Sequence, residues 1–477
     1  MKKTIFLAIY TVAAFMLTTG CGDELLDKAP YGAMSEATFY QTETDLIGAV
    51  NAAYGPFFGR WGGGIYDNLV IFSMGVWSDD FEKGGGGPTD QGALEEMNNY
   101  QVISTNSMAL AAWNNAYSGV FRANKAIEQI EESSVASKDR LLGEAKFLRA
   151  IYYYNLVIRY NGVPLITSTA TAELKNVSRS SAQEVWAFIE QDLKDACNGL
   201  PVSFTGADQG RPTKGSAQGL LGRVYLSTRE WQKAADVYAE IINSGRYSLM
   251  EDYGSLFVNQ GSDHLPESLF EIESTSGKSS SFVGLSNGFT PRDVNGWGGV
   301  GFCVPTQSLV DEFEPGDLRR AETIVMEGDM LFGLPYDPAW SPYTGYNTKK
   351  YMYGPEIPTS ETDANYKVIR YAEILLSYAE AIQNGAAEKA NITGLQALNA
   401  VRQRAGLQAI AALSFEAIVH ERRVELAVEG LRFPDLVRWG IAKEVLGANF
   451  DVNRDEYLPI PFSEILINPN LQQNPGY

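Results

Sequence analysis

From Gly143 to Val157 the chain reads GEAKFLRAIYYYNLV, and the spacing of its apolar residues sets the fold class. Ala145, Leu148, Tyr152 and Leu156 recur every three or four positions, the period of one helix face. The pattern runs from Leu141 to Tyr160 and stops at Asn161-Gly162 and Pro164, residue types that end helices. Just upstream, Trp113, Tyr117, Val120, Phe121, Asn124, Ile127 and Ile130 share a second stripe, so the two segments are expected to form a helix hairpin. Three further pairs are predicted: 218–227 with 231–244, 371–383 with 395–404, and 415–429 with 434–446. In the second pair, Ala234 and Ala235 lie between Trp231, Tyr238 and Ile242, the small and large alternation of closely packed helices. Gly430 fits a left-handed helix stop and Pro434 a first helical turn. The predicted fold class is mainly α, with tetratricopeptide-like helix hairpins forming a scaffold interrupted by long irregular loop insertions. A minor β component is expected, with Glu271, Ile272 and Glu273 in a short strand.

Two insertions interrupt the helical pattern. Residues 55–100 are rich in glycine and aromatics: Trp61, Gly62 to Gly64, Tyr66, Trp77 and Gly84 to Gly87. Residues 261–352 carry Trp297, Tyr336, Trp340, Tyr343 and Tyr346 among Gly and Pro. Loops of such length inside a compact domain are uncommon unless they are functional or disordered. Aromatics there are candidate platforms, not core.

The first residues read as an export signal. Lys2 and Lys3 precede an apolar run from Ile5 to Leu17, too short to span a bilayer, and Thr18, Thr19 and Gly20 lead to Cys21. A cysteine at that place resembles the acylated cysteine of bacterial lipoproteins, and Asp23, Glu24 and Asp27 resemble a surface-export tag. Lipidation at Cys21 would anchor the chain in the outer membrane, facing outward. The expected organisation is a signal over 1–20, an N-terminal helical region over 21–260, and a C-terminal region with the ligand-loop insertion over 261–477. All of it after the signal is one compact fold.

Composition narrows the function. A formal charge of -20 argues against nucleic acid as a partner. Only His264 and His420, with three scattered cysteines, are available, so no Cys/His metal cluster is expected, and neither metal nor cofactor is predicted. Cys197 and Cys303 are expected as free thiols, although spacing leaves their pairing open.

Three strings mimic catalytic motifs and fail on context. Gly284 to Gly288 matches a nucleophile elbow, but a serine-rich run stands where the strand belongs and Pro291 follows closely. Gly296 to Gly301 matches GxGxxG without a strand leading in or a helix leading out. Gly277-Lys278-Ser279 lacks the first glycine of a phosphate loop. The run His420-Glu421-Arg422-Arg423 sits in a helical pattern and is read as hydrogen-bonded links between helices. No catalytic residue is predicted.

Several blocks together resemble the SusD/RagB family of outer-membrane lipoproteins from Bacteroidetes. They are Leu26-Asp27-Lys28-Ala29-Pro30, the set Trp113, Tyr117 and Asn124, the block 143–157, ERRVELAVEGLRFPDLVRW over 421–439, YLPIPFSEI over 457–465, and the close on Asn474-Pro475-Gly476-Tyr477. The resemblance implies a helical lid over a SusC-like TonB-dependent transporter. Such a lid captures an oligosaccharide or polysaccharide and delivers it without making or breaking a bond. A RagB-like variant of the same architecture would capture peptides instead. Sugars offer apolar C–H faces and a rim of hydroxyls, which calls for flat aromatics beside amide, carboxylate or Arg groups. The candidate ligand residues are therefore Trp61, Tyr66, Asn68, Trp77, Asp79, Asp80, Arg292, Trp297, Trp340 and Tyr343, with Trp77 and Trp297 the expected central platforms.

Overall fold

The computed structural model describes residues 40–59, 63–170, 177–275, 284–354 and 362–477. Cys21 and the export signal, Trp61, and the string Gly277-Lys278-Ser279 lie outside the described residues.

The scaffold is a stack of helices in which each packs on the next in chain order. Ser107–Glu131 starts where the Asn106 side chain accepts from the amides of Met108 and Ala109, and it packs against Lys138–Tyr160. Close approach there depends on Gly119: a Cβ at that position would come within 2.2 Å of the Tyr152 ring. Ala182–Gly199 follows, opened by a capping box between Ser181 and Glu184, and packs between Lys138–Tyr160 and Lys214–Ser227. Trp231–Asn243 closes on Lys214–Ser227, where Gly222 leaves room for the Tyr238 ring. The chain then leaves the stack and returns at Tyr371–Gln383, which packs on Trp231–Asn243 as though nothing intervened. Gly394–Arg404 and Phe415–Leu426 complete the stack.

Several predicted helix bounds move, the helix expected from 218 beginning at Lys214. The helix expected over 415–429 stops at Leu426, and a turn with positive φ at Val428 and Gly430 follows it. The segment expected as one helix over 434–446 is two, Arg432–Trp439 and Ala442–Leu446, divided at the left-handed Gly440. Cys197 and Cys303 are both free.

The insertions are more ordered than expected. Residues 55–100 are not a loop, because Asn68–Val76 is a helix buried on nearly every side, and the strand Phe81–Gly84 and the helix Gly92–Asn98 follow it. The strand Phe81–Gly84 pairs antiparallel with Phe302–Pro305 of the second insertion, Phe81 opposite Pro305 and Gly84 opposite Phe302. A second ladder, Ser268–Ile272 with Tyr366–Arg370, closes the base of that insertion where it rejoins the stack.

Charged contacts fix both insertions to the last helices. Arg370 donates to Glu267 Oε1 (2.6 Å) and Glu425 Oε1 (3.0 Å) through Nη1 and to Glu429 through Nε and Nη2. Arg404 reaches Glu425 at 2.5 Å, and Arg319 donates to Glu421 (2.5 Å), Glu425 (3.2 Å) and Asp317. All are buried. Burial alone would raise the pKa of Glu425, but the guanidiniums of Arg404, Arg370 and Arg319 outweigh it and hold the carboxyl below its usual range. The run 420–423 is therefore a set of links between elements, as its sequence suggests. Arg423 donates to Asp80 (2.8 Å) in the first insertion, and Arg422 to Asp435 (2.8 Å) in the neighbouring helix.

His420 adds a pH-dependent contact. Its Nδ1 lies 2.7 Å from Glu312 and its Nε2 3.2 Å from Glu314, a pairing that only the doubly protonated ring satisfies by donating twice. Burial disfavours the charged ring, but the hydrogen bond to Glu312 and the charges of Glu421, Glu312 and Glu314 prevail and raise its pKa. Arg402 and Arg423 share these carboxylates from the other side.

Two outcomes follow from this packing. Glu425→Ala removes a carboxylate shared by three buried guanidiniums and is expected to cost about 3–5 kcal/mol in a denaturant titration, and a loss near zero would mean that the buried charges are incidental. The stabilisation contributed by His420 is complete below the unfolded pKa of about 6.5 and is lost as pH rises through the raised folded value. The stability gap between the wild type and His420→Gln should therefore be wider at about pH 6 than at about pH 9, and a gap independent of pH would contradict a charged His420.

Candidate ligand-binding cleft

The pairing of Phe81–Gly84 with Phe302–Pro305 brings two glycine-rich turns together, one from each insertion. Beyond Gly84 the chain turns through Gly85, both glycines with positive φ, and the Gly85 amide donates to Gly301 O at 2.7 Å. No side chain fits at either: a Cβ at Gly84 would sit 2.3 Å from Gly301 O, and one at Gly85 2.4 Å from the Phe302 ring. Lys83, almost wholly buried, fixes the turn by donating to the carbonyls of Gly87 (2.6 Å) and Asp90 (2.8 Å) while pairing with Glu95.

The Arg292 guanidinium lies against Gly86, where a Cβ would come within 2.9 Å of its Cζ. Nη1 donates to Asp90 Oδ2 at 2.8 Å, and the same oxygen accepts from the Gly86 amide at 2.8 Å. Asp293, in the left-handed region and with its carboxyl in solvent, stands 3.5 Å from Arg292 Nε. Arg292 is thus held by Asp90 on one side and keeps 39% of its side chain exposed. It is a positioned polar group with donors to spare.

Opposite stands the short turn Pro338–Trp340, capped by the Asp337 side chain on the Ala339 amide. Trp340 is held edge-on by two rings, Trp297 at 5.3 Å and Tyr336 at 5.4 Å between centroids. Trp297 is itself edge-on to Phe332 at 5.0 Å. Tyr336 donates from its hydroxyl to Asn347 Oδ1 at 2.7 Å, which completes the support. Trp340 is half-buried and Tyr343 is exposed at 45%. Gly85 to Gly87, Arg292, Asp293, Trp340 and Tyr343 line one cleft of about 570 Å³, within the ordinary range for a small-molecule site.

Three sequence-predicted residues, Arg292, Trp340 and Tyr343, meet in this cleft, and Trp297 braces it from behind. Other expectations need correction. Trp77 is 1% exposed and stacks on Phe433 with ring centroids 4.0 Å apart, so it is a core residue that joins the first insertion to the helix Arg432–Trp439. Asp79 accepts from Arg432 at 2.8 and 3.0 Å, and Asp80 from Arg423, so both carboxylates are committed to holding elements together. Asn68 is buried at the start of its helix, its amide 3.4 Å from Gly284 O. Trp297, 8% exposed, packs edge-on against Trp340 and lacks the open ring face expected from the sequence. Tyr66 is half-buried beside Asn155 in a separate, smaller cavity. Sequence reasoning missed Asp90 and Asp293. Asp293 adjoins Arg292 and was in plain view, whereas Asp90 lies 202 residues from its partner.

Comparison with known proteins agrees with this architecture. The family model described as the SusD family matches residues 336–477, and one described as starch-binding, associating with the outer membrane, matches residues 88–226. A laminarin-binding SusD-like protein of known structure is 30% identical, with a TM-score of 0.80 covering 92% of this chain and all of the other. Surface glycan-binding protein A from Bacteroides thetaiotaomicron, solved in complex with laminarihexaose, is 25% identical, with a TM-score of 0.79 over 91% of this chain and all of its own. SusD-like protein P2 of Formosa agariphila is 29% identical over 98% of this chain and 99% of its own length. The fold and the family match define a SusD-like binding protein on a helical scaffold. The chain belongs to the SusD/RagB family.

A pair of substitutions separates core from cleft. Trp77→Ala should lower stability by about 3–5 kcal/mol while the folded fraction keeps its ligand affinity, measured by denaturant titration and by binding on the same preparation. Normal stability with lost binding would return Trp77 to the site.

Proposed function

We propose that this protein is a surface glycan-binding lipoprotein that captures an oligosaccharide in the cleft between its two insertions. The observation that carries this reading is the pairing of Trp340 and Tyr343 with Arg292 and Asp293 across one open cleft of about 570 Å³. A sugar ring would lay its C–H face on an aromatic side chain and turn its hydroxyls towards the guanidinium and carboxylate. The braced Trp340 needs little ordering on binding, which lowers the entropic cost.

The relatives point to a ligand class. Two structural relatives are described as binding laminarin or are solved with laminarihexaose, so laminari-oligosaccharides are the first ligands to try. Among the described residues no helix is long and apolar enough to cross a membrane. Attachment to the outer membrane on its outward side would then rest on acylated Cys21, and delivery of the captured glycan on a SusC-like TonB-dependent transporter. The family resemblance supports both, and the description of the matching model supports the association with the outer membrane.

The test is calorimetric titration of residues 22–477 with laminarihexaose, other soluble oligosaccharides and a mixed peptide digest. Saccharide binding is expected, weakened by about 2 kcal/mol, roughly thirtyfold, in Trp340→Ala. Binding of peptides alone would move the protein to the RagB-like reading and remove the aromatic cleft from its function.

A further inference from the structure

A second, smaller cavity of about 50 Å³ lies between the helical scaffold and the first insertion, and it is lined in part by Tyr66, Tyr154, Asn155, Arg159 and Arg223. Its charges do not balance. Arg223 is neutralised by Glu373, with Nε and Nη2 each donating to the carboxylate. Glu429, also on the wall, is taken up by Lys350 and Arg370. Arg159 has no such partner: the side chain is buried, and no carboxylate of a described residue pairs with it. Its acceptors are the carbonyl of Asn155 (3.1 Å) and the Asn155 side-chain oxygen (2.6 Å), both through Nη1, while Nε is buried without an acceptor.

Arg159 occupies the last turn of Lys138–Tyr160, so the negative end of that helix offsets part of its charge. A partial charge from carbonyls does not replace a counterion, and an uncompensated buried cation is among the costliest groups a fold can hold. Burial accordingly pulls its pKa down from the usual arginine range. Arginine stays protonated under ordinary conditions even so. The charge persists, and water alone would solvate it without cancelling it.

We propose that this cavity binds one small monovalent anion of chloride size, held by the free donors of the Arg159 guanidinium with the Tyr66 hydroxyl alongside. The Asn155 amide donates to Ile151 O at 2.8 Å and towards the Tyr66 oxygen at 3.4 Å, which leaves the Tyr66 hydroxyl hydrogen to turn towards the ion. The volume holds a single such ion with a water or two and excludes a sugar ring. The site is distinct from the glycan cleft in residues and in ligand chemistry, and its test does not depend on glycan binding.

Two measurements on residues 22–477 test the proposal. Thermal unfolding is followed at fixed ionic strength as sodium bromide or chloride replaces sodium gluconate, whose anion is too large for the cavity. The midpoint should rise saturably with either halide, on the order of 2 °C per tenfold above half-saturation, and the rise should vanish in Arg159→Gln. Crystals grown in bromide should show an anomalous peak beside the Arg159 guanidinium in the unaltered protein, which decides the matter if the variant does not fold. Equal midpoints in halide and gluconate with no peak in the cavity would overturn the proposal, as would a halide effect unchanged in a folded Arg159→Gln.

Discussion

The buried ion pairs around Glu425, Arg370 and Arg423 are the constraint on which the rest of the structure depends. They join parts of the chain that share no hydrophobic periodicity. Arg370 ends the strand that closes the second insertion, Glu267 stands at the start of that insertion, and Arg319 and Lys350 come from its interior. Asp79 and Asp80 come from the first insertion. All converge on Phe415–Leu426 and the turn after it. Carboxylates and guanidiniums out of water are costly unless each is matched, so the geometry tolerates few alternatives. That intolerance helps fix where each insertion sits on the helical stack, together with the Trp77–Phe433 stack and the two short ladders.

The cleft inherits its shape from this arrangement. Its two walls belong to segments more than two hundred residues apart, held in register by one short antiparallel pairing and by the shared anchorage on the last helices. Trp77 and Trp297, the most conspicuous loop tryptophans, serve the frame: one seals an insertion to the scaffold, the other braces Trp340. Platforms on a surface need rigid backing to be useful in recognition. Part of the aromatic richness of the sequence therefore goes into support, and a smaller part faces the cleft.

How much of this was legible in the sequence varies with the range of the interaction involved. The helix Tyr371–Gln383 could be read to the residue, because apolar periodicity is a local signal. Ala182–Gly199 was missed although Ser181 and Glu184 announce its start and Val185, Ile189, Leu193 and Ala196 form a clear apolar stripe. Asn68–Val76 was hidden by its flanks: surrounding glycines suggested a loop, whereas LVIFSMGV is apolar all round, as a fully buried helix is. The misreading of Trp77, Asp79 and Asp80 followed from that one error. Arg292, Trp340 and Tyr343 stand out in the sequence as candidates because residue type and loop context agree there. Their meeting in one cleft depended on a strand pairing that no local pattern encodes.

The central claim is that the cleft between the two insertions is where ligand binds, and the structure of the protein with a saccharide bound tests it most directly. The account predicts a sugar ring against Trp340 or Tyr343, with Arg292 within hydrogen-bonding distance of its hydroxyls and Trp77 untouched. A saccharide ordered elsewhere on the protein, with this cleft empty, would contradict it.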